Sequence, residues 1–162
     1  MDEKALFTNF WTKESRTTRN VLARIPESND YRPDPRSRTA MQIAWQIVGE
    51  EKMIIEALET SNFEWAPGAL PTTMKEVLEA YERQSAELPR RWNALPAEKW
   101  NGTIVFFGQQ RSASEMAWSF LFDIVHHSRT DHDLPAADGV HRAADLRTER
   151  GRAVRMRRSP ST

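Results

Sequence analysis

The chain has no cysteine in 162 residues. That excludes disulfide scaffolds, thiolate metal sites and cysteine nucleophiles. It has no apolar run near the roughly 20 residues of a membrane span. The opening Met-Asp-Glu-Lys carries neither a basic n-region nor an apolar stretch, so a cytoplasmic location is expected. Its 23 basic and 23 acidic side chains cancel, which gives no general reason to expect nucleic acid or membrane as partner. No glycine-rich phosphate loop, serine nucleophile elbow or paired-carboxylate glycosidase pattern is present.

What is present is unevenly placed. Residues 1–127 hold 15 Lys+Arg and 18 Asp+Glu, whereas residues 128–162 hold eight Arg and five acids. All aromatic residues precede His127. A segment so poor in large apolar side chains cannot offset its ordering entropy, so a disordered tail over 131–162 and a folded unit over 1–130 are expected.

Within the folded unit, apolar residues recur at three and four, the helical spacing. A first helix is predicted over about Asp2–Ile25, with Leu6, Phe7, Phe10, Trp11, Val21, Leu22 and Ile25 on its buried stripe. The second is the clearest, with Ile43, Ala44, Ile47, Val48, Ile54, Ile55 and Leu58, capped by Ser37 or Thr39. A third begins near Thr72 or Thr73 and ends before Pro96. A fourth opens at Ser112, with Glu115 three residues on as capping partner. The β-branched and aromatic run Thr103–Phe107 reads as an extended connection lying on the bundle rather than as a strand. Four helices and no long strands define an all-α four-helix bundle.

The polar residues able to do chemistry are few. Asp123 and His127, four apart on one helix, share a face and together suit a first-row metal. On the second helix Gln46 and Glu50 are likewise one turn apart. An Asp–His pair at this spacing is also simply an i,i+4 charge pair. Gln46 reads equally well as a hydrogen-bonding group at the core edge. Glu50, Glu51 and Lys52 read as a solvated face, and His126 faces solvent or a partner. Trp45 and Trp118 are core residues that could line a pocket beside the polar cluster.

Several strings in order resemble one family: Glu14-Ser15-Arg16-Thr17-Thr18-Arg19, Arg24-Ile25-Pro26, Tyr31-Arg32-Pro33-Asp34-Pro35-Arg36-Ser37, Ala44-Trp45-Gln46-Ile47-Val48 and Phe122-Asp123-Ile124-Val125-His126-His127. Over residues 5–127 they resemble the DinB-like (YfiT-like) superfamily. The resemblance implies a four-helix bundle holding a divalent metal, commonly a homodimer, with a low-molecular-weight thiol of the bacillithiol or mycothiol type as cosubstrate of a transferase. The family's site looks like three histidines; here Gln46 and Asp123 stand at two of those places and His127 at the third. Gln46, Asp123 and His127 are therefore the expected ligands, for Ni, Zn or Mn. The alternative is a non-catalytic dimeric bundle with a degenerate site. A small-molecule substrate belongs to the first reading.

After His127 the family's Arg-Gly-Gln is missing. Codons for Ser128–Arg152 can be chosen so that the neighbouring frame reads Arg-Gly-Gln-Thr-Thr-Thr-Tyr-Leu and onward, an ending of the family's kind. A single inserted nucleotide after the His127 codon is the reading favoured over an Arg-rich tail that binds nucleic acid.

Overall fold

The computed structural model describes residues 2–27, 32 and 34–132, with side chains to Ser128. Its elements are α1 (Glu3–Leu22), α2 (Ala40–Thr60), α3 (Met74–Ala94), the single turn α4 (Ala97–Trp100), β1 (Thr103–Phe106), β2 (Gln109–Ser112) and α5 (Ala113–His132). The four long helices form the predicted bundle. α2 packs against α3 and α5, and α1 packs against the same two, so α1 and α2 lie on a diagonal. No helix among the described residues is long and apolar enough to cross a membrane.

The helix starts follow their caps. Asp2 accepts from the Ala5 N–H at 2.7 Å. At α2 the cap is Thr39, not Ser37: its hydroxyl accepts from the Gln42 N–H, and Gln42 Oε1 accepts from the Thr39 N–H. Thr73 and Glu76 form the same reciprocal pair on α3. α1 ends at Leu22, three residues before the expected limit, and the chain turns through Arg24 and Ile25.

The core is aromatic toward one end and aliphatic along α2. Phe7, Trp11, Trp92 and Trp100 pack edge-on or tilted at centroid distances of 4.8–5.4 Å. α2 is covered on nearly every side, with fourteen of its 21 residues buried. Two expected core residues are not in the core: Leu6 and Phe10 are exposed. The apolar stripe of α1 is wider than the face that α3 and α5 can cover.

The connection after α3 corrects the expectation of a plain extended segment. Thr103–Phe106 pairs antiparallel with Gln109–Ser112, Ile104 opposite Arg111, through the two-residue turn Phe107-Gly108. The hairpin is fixed to the end of α2: Val105 donates to the Ser61 carbonyl at 3.0 Å and accepts from the Phe63 N–H at 2.8 Å. The loop that follows crosses α2 at Gly49, where an added Cβ would stand 3.0 Å from Pro67 Cβ, so glycine is what lets the loop approach. The expected boundary near residue 130 falls at the edge of the described residues. α5 runs on to His132, and the tail from 133 to 162 lies outside them, as do Tyr31 and Pro33.

Candidate metal centre

Helical spacing and helix pairing build the site together. α2 projects Gln46 and Glu50 from successive turns, and α5 does the same with Asp123 and His127. Because α2 and α5 are neighbours, the four side chains meet. Gln46 Nε2 lies 3.2 Å from His127 Nε2. It also donates to Glu50 Oε1. His127 Nε2 lies 3.4 Å from Asp123 Oδ2. One ligand atom each from Glu50, Asp123 and His127 fall within 4.8 Å of one another. The three residues expected from the sequence thus stand together, with Glu50 as a fourth that the sequence reading had placed on a solvated face.

That placement is corrected for both acids of the run. Glu50 is 3% and Glu51 1% exposed, while Lys52 does lie at the surface. The signal was the helix itself: a segment apolar on nearly all its faces is covered all round, and charges within it go inside.

The electrostatics of Glu50 follow from that burial. Desolvation pushes its carboxyl up to about 7; the Gln46 amide opposes the rise, the Asp123 carboxylate adds to it, and Arg38 opposes it. Burial also lowers the pKa of His127, against the pull of Asp123, which favours the neutral imidazole. His127 Nε2 faces both the Gln46 amide and the Asp123 carboxylate; the tautomer with its proton on Nδ1 accepts from Gln46, and the one with its proton on Nε2 donates to Asp123. Once Glu50 is ionised, the cluster presents two carboxylates and an imidazole as donor groups for a cation. Among the described residues two of its buried atoms, Gln46 Oε1 and Glu50 Oε2, have no donor; Gln46 Oε1 is an acceptor, and Glu50 Oε2 is one once the carboxyl is ionised, whereas a protonated Glu50 shares its proton with Asp123. A buried orphan acceptor is costly, and a cation is what such a pair lacks.

Glu51 faces the other way, toward α3 and α1. Its Oε1 lies 2.9 Å from the Tyr81 hydroxyl, and its Oε2 accepts from Gln84 at 3.4 Å. The Tyr81 hydroxyl is also 3.1 Å from the Ser15 carbonyl. Burial pushes Glu51 up to about 7, with Tyr81, Gln84 and Ser15 opposing. The Tyr81 hydroxyl donates to Glu51 Oε1 and has the Ser15 carbonyl as a second acceptor within reach. These groups satisfy one another.

A cleft of about 510 Å³ opens over Gln46, Glu50 and Asp123, between α5, the hairpin and the loop after α2. Its tryptophan is Trp65. Neither Trp45 nor Trp118 lines it: Trp45 Nε1 donates to the Gly68 carbonyl, and Trp118 stacks on Phe122.

A four-helix bundle with a histidine–carboxylate cluster between neighbouring helices is the class that fold and site define. No family profile and no curated protein matches the chain. Solved structures do. A DinB-like protein from Bacillus subtilis, YjoA, is similar at a TM-score of 0.66 and 12% identity, over 78% of this chain and 87% of that one. A DinB-like protein from Bacillus cereus is similar at the same TM-score and 20% identity, over 78% and 86%. The chain has the DinB-like fold.

Proposed function

We propose that this bundle binds one divalent cation through Glu50, Asp123 and His127, and that it works as a metal-dependent transferase using a low-molecular-weight thiol. The observation that carries the metal reading is the buried, unpartnered Oε2 of Glu50 beside Asp123 and the imidazole of His127. Two carboxylates and one imidazole suit a borderline or hard first-row ion: zinc, nickel or manganese. Gln46 stands as a neutral neighbour that can turn its amide oxygen toward the cation. When bound, the cation supplies positive charge that lowers the pKa of a coordinated thiol. The chain supplies no thiol of its own.

The test is metal content after dialysis against zinc or manganese. One equivalent is expected in the wild type, with affinity at least tenfold weaker in His127→Ala. A protein that retains no stoichiometric metal would instead be the non-catalytic bundle. For the thiol, cobalt-loaded protein should develop a sulfur-to-cobalt charge-transfer band when a small thiol is added; no band counts against the transferase reading.

We also infer a homodimer. Phe10 of α1 and Phe122 of α5 are exposed on either side of Trp118 in an apolar patch, and Leu6, also exposed, lies one helical turn before Phe10. Light scattering should give twice the monomer mass, and Phe122→Ser should reduce it toward one; a monomeric wild type ends the idea.

A further inference from the structure

The cleft beside the cluster is lined by Phe63, Trp65, Phe106, Phe107 and Phe120. Their packing is mutual. Phe63 lies 4.8 Å from Phe106, 5.6 Å from Phe107 and 5.3 Å from Phe120, and Phe106 and Phe107 meet edge to face at 4.7 Å. Beyond Gln46 and the two acids, the only polar lining residue among the described residues is Ser119.

Phe107 needs an explanation that neither the turn nor the core provides. Its φ is 46° and that of Gly108 is 78°, so both central residues of the hairpin turn are left-handed. Such a turn favours Asn-Gly, and a bulky aromatic at the first position is strained. The ring is also 70% exposed, so burial does not compensate for the strain. Trp65, which also lines the cleft, is 49% exposed. Strain held at the mouth of a site points toward a ligand.

We propose that the organic ligand of this site is a flat aromatic small molecule bearing one oxygen or sulfur group that reaches the cation, with its ring held between Phe107, Phe106 and Trp65. This rests on the metal reading above. With a divalent cation offsetting the charges of Glu50 and Asp123, the remaining lining is apolar apart from Gln46 and Ser119, and it favours a ring over a polyanion. The volume is large enough: a cavity of about 150 Å³ takes benzene, so this cleft admits one or two rings and a head group. Exposed aromatic edges and faces supply offset-stacked and edge-on contacts to such a ring.

The experiment is calorimetric titration of zinc-loaded protein with benzohydroxamate, which joins a ring to a metal-binding group, and with acetohydroxamate, which lacks the ring. Benzohydroxamate should bind at least tenfold more tightly. In Phe107→Asn that advantage should shrink at least fivefold, while acetohydroxamate affinity and zinc content stay unchanged. The variant should melt no lower than the wild type, because Asn-Gly suits the turn. Equal affinities on zinc-loaded protein, or an undiminished advantage in Phe107→Asn, overturn the aromatic ligand alone. Failure to retain zinc overturns the metal reading and this inference with it.

Discussion

Glu50 and Glu51 are adjacent on one helix, both buried and both titrating near 7, yet they differ in what surrounds them. Glu51 points between α1 and α3, where Tyr81 and Gln84 engage both its oxygens. Glu50 points at α5, with one oxygen on the Gln46 amide and the other beside the Asp123 carboxylate, with no donor for it among the described residues. The first is a closed network that ties three helices. The second is an incomplete one, open to a cleft. Burial and a raised pKa alone do not mark a functional acid; the unsatisfied atom does.

The largest effect that would sharpen this contrast is on stability against pH. Both acids have native pKa values raised above the usual 4.5, so the folded state binds more protons than the unfolded one between about 4.5 and 7. The contribution of these two acids is then greatest below 4.5, falls as the pH rises through that window and levels off above it, while the lowered pKa values of His127 and Glu76 work in the opposite direction. Glu50 and Glu51 each contribute up to about 3 kcal/mol of the fall. Urea unfolding at pH 5 and pH 8 measures it. Saturating zinc should remove the part due to Glu50 and leave that due to Glu51; a loss unchanged by zinc would erase the distinction.

Next in size, Glu50→Gln should weaken zinc binding about a hundredfold, near 2.7 kcal/mol, while leaving the metal-free protein at least as stable at pH 8. Competition with a chelating dye reads the affinity. Tyr81→Phe breaks the other network. It should cost about 1–3 kcal/mol at pH 8, because ionised Glu51 loses its best donor, with zinc affinity unchanged. Gln84→Leu should be smaller, about 1 kcal/mol, since it removes the 2.9 Å bond to the Val48 carbonyl and only a long one to Glu51. Zinc affinity that follows either of these last two variants would show that the two acids are coupled rather than separate.

The bundle was legible because its helices carry strong local signals. Spacing at three and four set the faces, and Thr39 and Thr73 marked two starts. The hairpin was not, since its second strand, Gln-Gln-Arg-Ser, is wholly polar and lies exposed, and its turn is Phe-Gly rather than Asn-Gly. Gln46, Asp123 and His127 could be brought together from spacing and resemblance. Glu50 could not be placed by its neighbours in sequence, because Glu-Glu-Lys looks like a wetted surface. Only the covering of α2 on both sides by α3 and α5, a tertiary fact, puts two adjacent charges into two different interiors. The strained Phe107 has no sequence signature, because its left-handed backbone is imposed by the pairing of the two strands.

The most direct test is the zinc-induced shift in melting temperature at pH 8, measured side by side for the wild type, Glu50→Gln and Glu51→Gln. A shift that grows with zinc concentration in the wild type and in Glu51→Gln, but is absent in Glu50→Gln, is the predicted result. An equal shift in Glu50→Gln, or none in the wild type, would contradict it.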